Sequence, residues 1–209
     1  MTTTLPPPPP VLPRLRATDR RTIAAGTLCW RVYRAGGEFP SPWNRMRHYG
    51  PTATGRFDHQ EPPPHDDPDR SVVYLAFDAT GALSEAFQST RTIDRRRQEP
   101  WLIAFGLAED VVALDLTRLW PTRAGGSQAI ATGKHATAQA WSRAIYRSYP
   151  EVAALLYRSS MAGGSLNLAL YERAEHAIST NPILHLPLTH PGLALPIARA
   201  ASKLGYGLR

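Results

Sequence analysis

Short apolar segments separated by turns make up much of the chain between residues 27 and 172. Four of them have the β-branched and aromatic composition of strands, and they cover residues 27–35, 71–77, 101–107 and 111–116. Two further candidate strands are joined by the turn "MAGG", whose glycines permit a tight reversal or a close approach to a ligand, and they cover residues 152–160 and 165–172. The pattern predicts a mixed β-sheet.

Helical spacing of apolar residues appears in three places. The clearest segment covers residues 135–149 and ends before Pro150. A turn at Gly81 precedes a short helix over residues 82–88, and another short helix is expected near residues 194–203. Together with the strands, these segments predict an α+β fold with a mixed β-sheet core and flanking helices.

Two proline-rich segments interrupt the pattern. The run at residues 6–10 favours an extended polyproline helix, so residues 1–25 are expected to form a flexible arm outside the core, either disordered or a ligand for a partner domain. Residues 59–70 combine prolines with alternating charge, which predicts an exposed loop. We therefore expect one catalytic or binding domain over residues 26–175, with a C-terminal extension over residues 176–209 packed on the same domain.

The composition indicates a soluble cytoplasmic protein. Of the 209 residues, 43% are hydrophobic and 20% are charged, as in ordinary globular proteins. The single Cys29 excludes an internal disulfide and a cysteine-based zinc site, which fits a reducing compartment. No apolar run approaches the roughly 20 residues of a membrane span, and the N-terminus lacks the pattern of a signal peptide.

Arginine supplies most of the net charge of +7, since Lys134 and Lys203 are the only lysines. Arginine is a planar, multidentate donor, so the excess could serve phosphate or nucleic acid. A GC-rich coding sequence would also favour arginine. The charge alone therefore does not choose between these explanations.

Five polar residues are embedded in, or end, otherwise apolar segments: Arg31, Arg56, Tyr74, Glu85 and Ser159. Each also has an ordinary structural explanation. Glu85 lies just beyond the apolar stripe of its helix and fits a solvated carboxylate. Arg31 fits an outward side chain on a half-exposed sheet, and Ser159 fits turn chemistry. Arg56 follows a glycine, which would let backbone and guanidinium approach an anion together, but an ordinary loop arginine fits equally.

No standard catalytic motif accompanies these residues. The chain has no nucleophile elbow, no phosphate-binding P-loop, no dinucleotide-binding glycine fingerprint and no zinc-protease motif. Its seven histidines are scattered, without the close spacing of a metal site on one helix. We therefore predict no metal site.

Taken in order, these segments resemble the RES domain, a family named for a shared Arg, Glu and Ser. The matching stretches are "CWRVYR", "GRFD", "VVYLAFD", "ALSEAF" and "LLYRSSMAGGSLNLALYE", and they span about residues 27–173. "TGRF" stands where the family usually has "GGRW". The family serine is assigned to Ser159 rather than Ser160, because the family pattern places it directly after a Tyr-x pair, here Tyr157 and Arg158.

The resemblance implies an ADP-ribosyltransferase-like fold with a cleft that holds NAD⁺. Many members are toxins of two-gene toxin–antitoxin systems that degrade NAD⁺ by phosphorolysis or hydrolysis. The resemblance therefore implies an NAD⁺ phosphorylase or glycohydrolase without a prosthetic group, with NAD⁺ as substrate and inorganic phosphate as co-substrate. It also implies a cognate antitoxin with a helix-turn-helix DNA-binding region.

This chemistry accounts for the residue types. Breaking the bond between nicotinamide and ribose makes an oxocarbenium-like sugar, which a fixed carboxylate such as Glu85 can stabilise. Multidentate guanidinium groups could hold the pyrophosphate or inorganic phosphate. The residues expected to be catalytic are Glu85, Arg31 and Ser159. The residues expected to bind NAD⁺ are Arg31, Arg56, Tyr74, Tyr33 and Asn167.

Two other functions remain open. The same site could belong to an ADP-ribosyltransferase that modifies a cellular protein, because the resemblance does not identify the acceptor. The pI of about 10.0 also permits a non-enzymatic module that binds nucleic acid. Apart from residues 95–97, however, the arginines are dispersed along the chain and do not gather on one helix, so direct nucleic-acid binding is not expected.

Overall fold

The computed structural model describes residues 5–209, and residues 1–4 lie outside that description. The strands of the described chain are β1 (Arg20–Ile23), β2 (Leu28–Arg34), β3 (Tyr49–Gly50), β4 (His65–Asp66), β5 (Val72–Ala76), β6 (Thr92–Ile93), β7 (Pro100–Gly106), β8 (Val111–Asp115), β9 (Ala154–Arg158), β10 (Leu166–Tyr171), β11 (Leu184–Pro187) and β12 (Gly207–Leu208). The α-helices are α1 (Ala79–Ala86), α2 (Trp120–Arg123), α3 (His135–Ser148) and α4 (Ala194–Leu204). Short 3-10 helices cover Ala17–Asp19, Gln128–Ala131, Glu172–Ala177 and Pro191–Leu193.

Eight of the strands form one sheet in the order β1-β8-β9-β10-β5-β2-β7-β11. Strands β8 and β9 pair in parallel, and the other neighbours pair antiparallel. Two small ribbons, β3 with β4 and β6 with β12, lie outside this sheet. The predicted α+β fold with a mixed sheet and flanking helices is confirmed.

Alternating side chains give the sheet two buried faces. On the front face, α3 packs against β9 and β10 through Trp141 and Ile145, and α1 and α4 pack beside it against β2 and β5. On the back face, residues of β2, β5 and β7 are covered by Met46 and by the segment around Ala177. A polar side chain on the sheet therefore belongs to one of two separate environments.

Strands β2 and β5 stay together for only one register pair, Trp30 opposite Ala76. Strand β2 instead follows β7 along its whole length. At the start of β5, Val72 pairs through an isolated antiparallel β-bridge with Arg47 rather than with a residue of β2. The chain after Arg47 therefore runs beside β5, and this brings the loop that contains Arg56 to the front face.

The proline-rich segment lies against the core, so the prediction of an arm outside the core is wrong for the residues that the structure describes. Leu5 and Leu12 are 5% and 8% exposed and belong to the cluster around α3. The indole Nε1 of Trp141 donates a 2.8 Å hydrogen bond to the carbonyl of Pro6. Prolines lack a backbone donor but keep their carbonyl acceptor, so a polyproline segment can satisfy a buried ring donor.

Helix α1 begins earlier than predicted. The carboxylate of Asp78 caps it by accepting a 2.7 Å hydrogen bond from the backbone N–H of Gly81. Gly81 therefore lies in the first turn of the helix rather than in a turn before it. A Cβ at Gly81 would lie 3.2 Å from the Cβ of Ala76, so glycine lets α1 pack closely on β5.

The predicted exposed loop over residues 59–70 is exposed only in its later part. His59 and Gln60 are completely buried. The Nε2 atom of His59 lies 3.0 Å from the carboxylate of Glu172, and the amide of Gln60 donates to the carbonyls of Arg47, His48 and Arg70. These partners replace water for one ring nitrogen of His59 and for the amide N–H groups of Gln60, whereas His59 Nδ1 and Gln60 Oε1 have no partner among the described residues.

Candidate active site

The carboxylate of Glu85 is held by side chains from two strands. Its Oε1 atom accepts a 2.6 Å hydrogen bond from Ser159 Oγ and a 2.8 Å hydrogen bond from Asn167 Nδ2. Glu85 lies in the last turn of α1, Ser159 follows β9, and Asn167 lies near the start of β10. Within residues 5–209, Oε2 of Glu85 accepts no hydrogen bond. One oxygen is therefore fixed by the protein, and the other has no hydrogen-bond donor among the described residues.

The turn after β9 orients Ser159. The backbone N–H groups of Met161 and Ala162 donate to its Oγ at 3.0 and 3.1 Å, so the hydroxyl proton is directed to Glu85. Ser159 is buried, whereas Ser160 is exposed. Both glycines of the "MAGG" turn have positive φ, as a tight reversal requires. The geometry selects Ser159 of the two serines as the partner of Glu85.

Arg56 lies on the same side of the sheet as Glu85. Its Nη1 donates a 2.6 Å hydrogen bond to the carbonyl of Gly133, which precedes α3. Burial lowers the pKa of Arg56 from its ordinary value, while the neighbouring groups Tyr157, Glu85 and Tyr74 oppose that shift. A guanidinium and a carboxylate from distant segments are therefore close enough to influence one another.

Tyr74 holds the loop that carries Arg56. Its hydroxyl donates to Asp58 Oδ1 at 2.8 Å and accepts from the backbone N–H of Phe57 at 2.8 Å. Gly55 makes this arrangement sterically feasible, because a Cβ there would lie 2.0 Å from Asp58 Oδ1. The hydroxyl of Tyr74 is thus engaged in positioning Arg56, and only its half-buried ring could border a ligand.

Tyr157 is a member of the site to which the sequence assigns no role. It pairs with Asn167 across strands β9 and β10, and its ring packs edge-on against the ring of Phe57, with the two ring centres 4.8 Å apart. Burial raises the pKa of Tyr157 far above its ordinary value, and the neighbouring Glu85 adds to the shift. The hydroxyl therefore stays protonated beside Glu85. Its position immediately before the Arg-Ser pair is the sequence signal that could have identified it.

The structure does not bring Arg31 and Tyr33 to Glu85. Alternation along β2 sends both to the back face, whereas Trp30 and Val32 face α1. Arg31 Nη1 donates to the carbonyls of Trp43 and Arg45 at 2.7 and 3.2 Å, and the Tyr33 hydroxyl lies 2.6 Å from His185 Nε2. Burial lowers the pKa of Arg31 to about 10, with the nearby Arg47 acting in the same direction. The structure therefore places Arg56, but not Arg31, on the same face of the sheet as Glu85, and the roles in NAD⁺ binding and catalysis expected for Arg31 and Tyr33 stay predictions.

Within residues 5–209, no group of three or more His, Cys, Asp or Glu side chains is arranged to hold a metal ion. In the same part of the chain, no helix combines the length and apolar character needed to span a membrane.

The candidate site contains one carboxylate, one guanidinium, hydroxyl groups and one amide. Such a set can bind a phosphorylated sugar and stabilise positive charge that develops on it.

Comparisons with known proteins identify the family and the fold. A family model described as the RES domain matches residues 28–191. No curated protein matches the chain. Among solved structures, a chain of the crystal structure of the M. tuberculosis MbcT-MbcA toxin-antitoxin complex has a TM-score of 0.54 at 18% sequence identity, covering 88% of this chain and 91% of that chain. That likeness shows a shared fold. Since the family model covers well over half of the residues, this chain belongs to the RES domain family.

Proposed function

We propose that this chain is a RES-type toxin that degrades NAD⁺ by cleaving the bond between nicotinamide and ribose, by phosphorolysis or hydrolysis. The observation that carries the proposal is the carboxylate of Glu85, which Ser159 and Asn167 hold through one oxygen while the other accepts no hydrogen bond from the described residues. A cytoplasmic location would give the enzyme access to its substrate.

The proposed reaction uses Glu85 as a preorganised negative charge. As the bond breaks, nicotinamide leaves with the bonding electron pair and the ribose carbon becomes electron-deficient. Oε2 of Glu85 stabilises that charge, or accepts a hydrogen bond from a ribose hydroxyl. An oxygen of phosphate or water then donates a lone pair to the same carbon, and water loses a proton to solvent. The donors on Oε1 are already in place, so the carboxylate need not reorganise.

Arg56 is proposed to bind the pyrophosphate of NAD⁺. Its bond to Gly133 uses one N–H and fixes the plane of the guanidinium. The remaining N–H groups form the fork that matches two phosphate oxygens. Because Arg56 is positioned by the loop that Tyr74 and Asp58 hold, the distance between the phosphate site and Glu85 is set by the fold rather than by the ligand.

A toxin of this kind requires a neutralising partner. The structural neighbour comes from a toxin–antitoxin complex, which supports the proposal that this chain has a cognate antitoxin. We expect that antitoxin to carry a helix-turn-helix DNA-binding region and to act by covering the cleft beside Glu85. An antitoxin complex that consumes NAD⁺ as fast as the free chain would contradict this mode of inhibition.

The test is product analysis with purified protein and NAD⁺, with and without inorganic phosphate. Free nicotinamide with ADP-ribose phosphate, formed only when phosphate is present, identifies phosphorolysis. Free nicotinamide with ADP-ribose identifies hydrolysis. Labelled ADP-ribose on a cellular protein identifies a transferase instead. Salt-dependent nucleic-acid binding without nicotinamide release would overturn the enzymatic proposal altogether.

A further inference from the structure

A second concave site lies beyond the C-terminal end of α1, and we call it the arginine cleft. It has a volume of about 380 Å³, and its lining includes three arginines, Arg34, Arg97 and Arg209, together with Phe87, Asp94 and the hydroxyl groups of Ser89 and Thr92. Neither Glu85 nor Ser159 nor Arg56 lines it. The cleft is therefore separate from the proposed NAD⁺ site, although both adjoin α1.

The lining carries three guanidinium groups and one carboxylate. Within residues 5–209, none of Arg34, Arg97 and Arg209 forms an ion pair with a carboxylate within 4.0 Å. The one side-chain acid, Asp94, accepts 2.9 Å hydrogen bonds from the backbone N–H groups of Arg96 and Arg97. It also lies close enough to Arg34, Arg97 and Arg209 to interact with their charges, so it offsets part of the positive charge of the cleft.

Elsewhere on the surface the arginines are neutralised differently. Arg70, Arg143 and Arg147 all lie within ion-pair distance of Glu61. In the arginine cleft, three guanidinium groups face the single side-chain carboxylate of Asp94, so a net positive charge remains for a ligand.

Arg34 is held in place before any ligand arrives. Its Nη1 donates a 3.0 Å hydrogen bond to the carbonyl of Arg97, and its Cζ lies 4.9 Å from the centre of the Phe87 ring. Stacking on an aromatic face and one hydrogen bond fix the guanidinium plane. The ordering cost of binding an anion is correspondingly reduced.

The loop that forms one wall of the cleft has an unusual backbone. Arg91, Gln98 and Glu99 have φ values of 49, 63 and 49°, and they are the non-glycine residues with positive φ among residues 5–209. Side chains with a Cβ disfavour this left-handed region, so surrounding interactions must maintain it. Such strain is concentrated in loops that bind ligands or switch conformation.

We propose that the arginine cleft binds a small organic phosphate with at least two negative charges, outside the NAD⁺ site. Guanidinium forks match phosphate oxygens in pairs, and the hydroxyl groups of Ser89 and Thr92 add donors at the same wall. The volume lies within the roughly 300–1,000 Å³ of small-molecule sites. Phe87 is 3% exposed and covered by Arg34, so no aromatic face is free to stack on the bases of a nucleic acid.

The experiment is a calorimetric titration of the full chain with pyrophosphate at constant ionic strength. Arg97→Ala removes a lining guanidinium but keeps the carbonyl that holds Arg34, and it should weaken binding at the cleft about tenfold. Arg21→Ala is the matched control, because Arg21 is an exposed arginine on the edge strand β1, which four strands separate from the strand β2 that carries Arg34. It should leave binding unchanged, and thermal unfolding confirms that both variants are folded.

Pyrophosphate could also bind beside Arg56, so Arg56→Gln is titrated in parallel. The proposal predicts a binding event that Arg56→Gln preserves and Arg97→Ala weakens. If Arg56→Gln abolishes all binding, or if Arg97→Ala behaves like Arg21→Ala, the cleft is not a phosphate site. A short oligothymidylate that binds more tightly than pyrophosphate and is also lost in Arg97→Ala would overturn the proposal in favour of a nucleic-acid surface. None of these readouts depends on NAD⁺ turnover, so failure here is distinguishable from failure of the proposed function.

Discussion

Ser159 donates a 2.6 Å hydrogen bond to Glu85 although the two residues are 74 positions apart in the chain. Asn167 donates to the same carboxylate oxygen. A carboxylate at the surface of a helix would otherwise choose among several rotamers, and these two donors restrict it to one. The shared arginine, glutamate and serine of the family are therefore unequal in this chain: the glutamate and serine form one unit, and Arg31 lies on the other face of the sheet.

Ser159→Ala should lower the rate of NAD⁺ consumption by about 10- to 100-fold, because Glu85 loses a donor and gains rotational freedom. Ser160→Ala is the matched control, since Ser160 is the exposed neighbour. Steady-state kinetics on both variants provides the measurement. Equal losses in the two variants would show that the bond to Glu85 is not what makes the serine important.

Glu85→Gln should reduce turnover by at least about 100-fold while leaving the fold intact, because the amide keeps the shape of the carboxylate but not its charge. Glu175→Gln, an exposed substitution of the same kind, should have no effect. Nicotinamide release is measured alongside circular dichroism. Retention of near-normal turnover in Glu85→Gln would remove the proposed electrostatic role.

Trp141→Phe should cost about 1 kcal/mol more unfolding free energy than Trp120→Phe. Both indoles are completely buried, but the Trp141 N–H donates to Pro6 whereas the Trp120 N–H has no acceptor among the described residues. Urea denaturation of the two variants gives the comparison. If the two losses are equal, the bond to the proline-rich segment contributes nothing measurable.

Folding stability should decline as the pH falls below about 6.5 and His59 should account for part of the decline. Burial lowers the pKa of His59 from its ordinary value of 6.5, while Glu172 and Asp58 oppose the shift and Arg70 reinforces it. A histidine whose pKa is lower in the folded state binds its proton more readily in the unfolded state. The contribution of neutral His59 to the free energy of unfolding is therefore complete above pH 6.5 and is lost as the pH falls from 6.5 toward the lower pKa of the folded state.

The check is denaturation of the wild type, His59→Gln and His176→Gln between pH 8 and pH 5. His59→Gln should flatten the pH dependence in this window. His176 is largely exposed, so His176→Gln should retain the wild-type dependence. In the wild type, burial acts to raise the pKa of Glu172, but the hydrogen bonds with His59 and Tyr146 outweigh it and hold that pKa below its ordinary value of 4.5, outside this window.

The long apolar strands were predictable because each is buried on both faces and therefore has a strong apolar composition. The edge strands were not. In β1 only Ile23 is buried, so "RRTI" lacks a hydrophobic pattern. Strand β11 ends in Pro187, which an edge position tolerates but which argues against a strand in sequence.

The candidate site was predictable in its residue types but not fully in its assembly. As expected from alternation along the strand, the side chains of Arg31 and Trp30 lie on different faces of the sheet. Because both faces are buried, the sequence does not indicate which of them lies on the side of Glu85. Likewise, nothing local reveals that Tyr74 would bind Asp58 and thereby hold the loop of Arg56. Such facts depend on which distant strands become neighbours.

The position of β10 between β9 and β5 sets the moment at which the site can exist during synthesis. A nascent chain that ends before Asn167 already contains the acidic side chain on α1, but it lacks one of the two groups that orient that side chain. Under the proposed function, chemistry that depends on an oriented Glu85 is therefore confined to polypeptides whose translation has passed residue 167, and products that end before it should consume little NAD⁺.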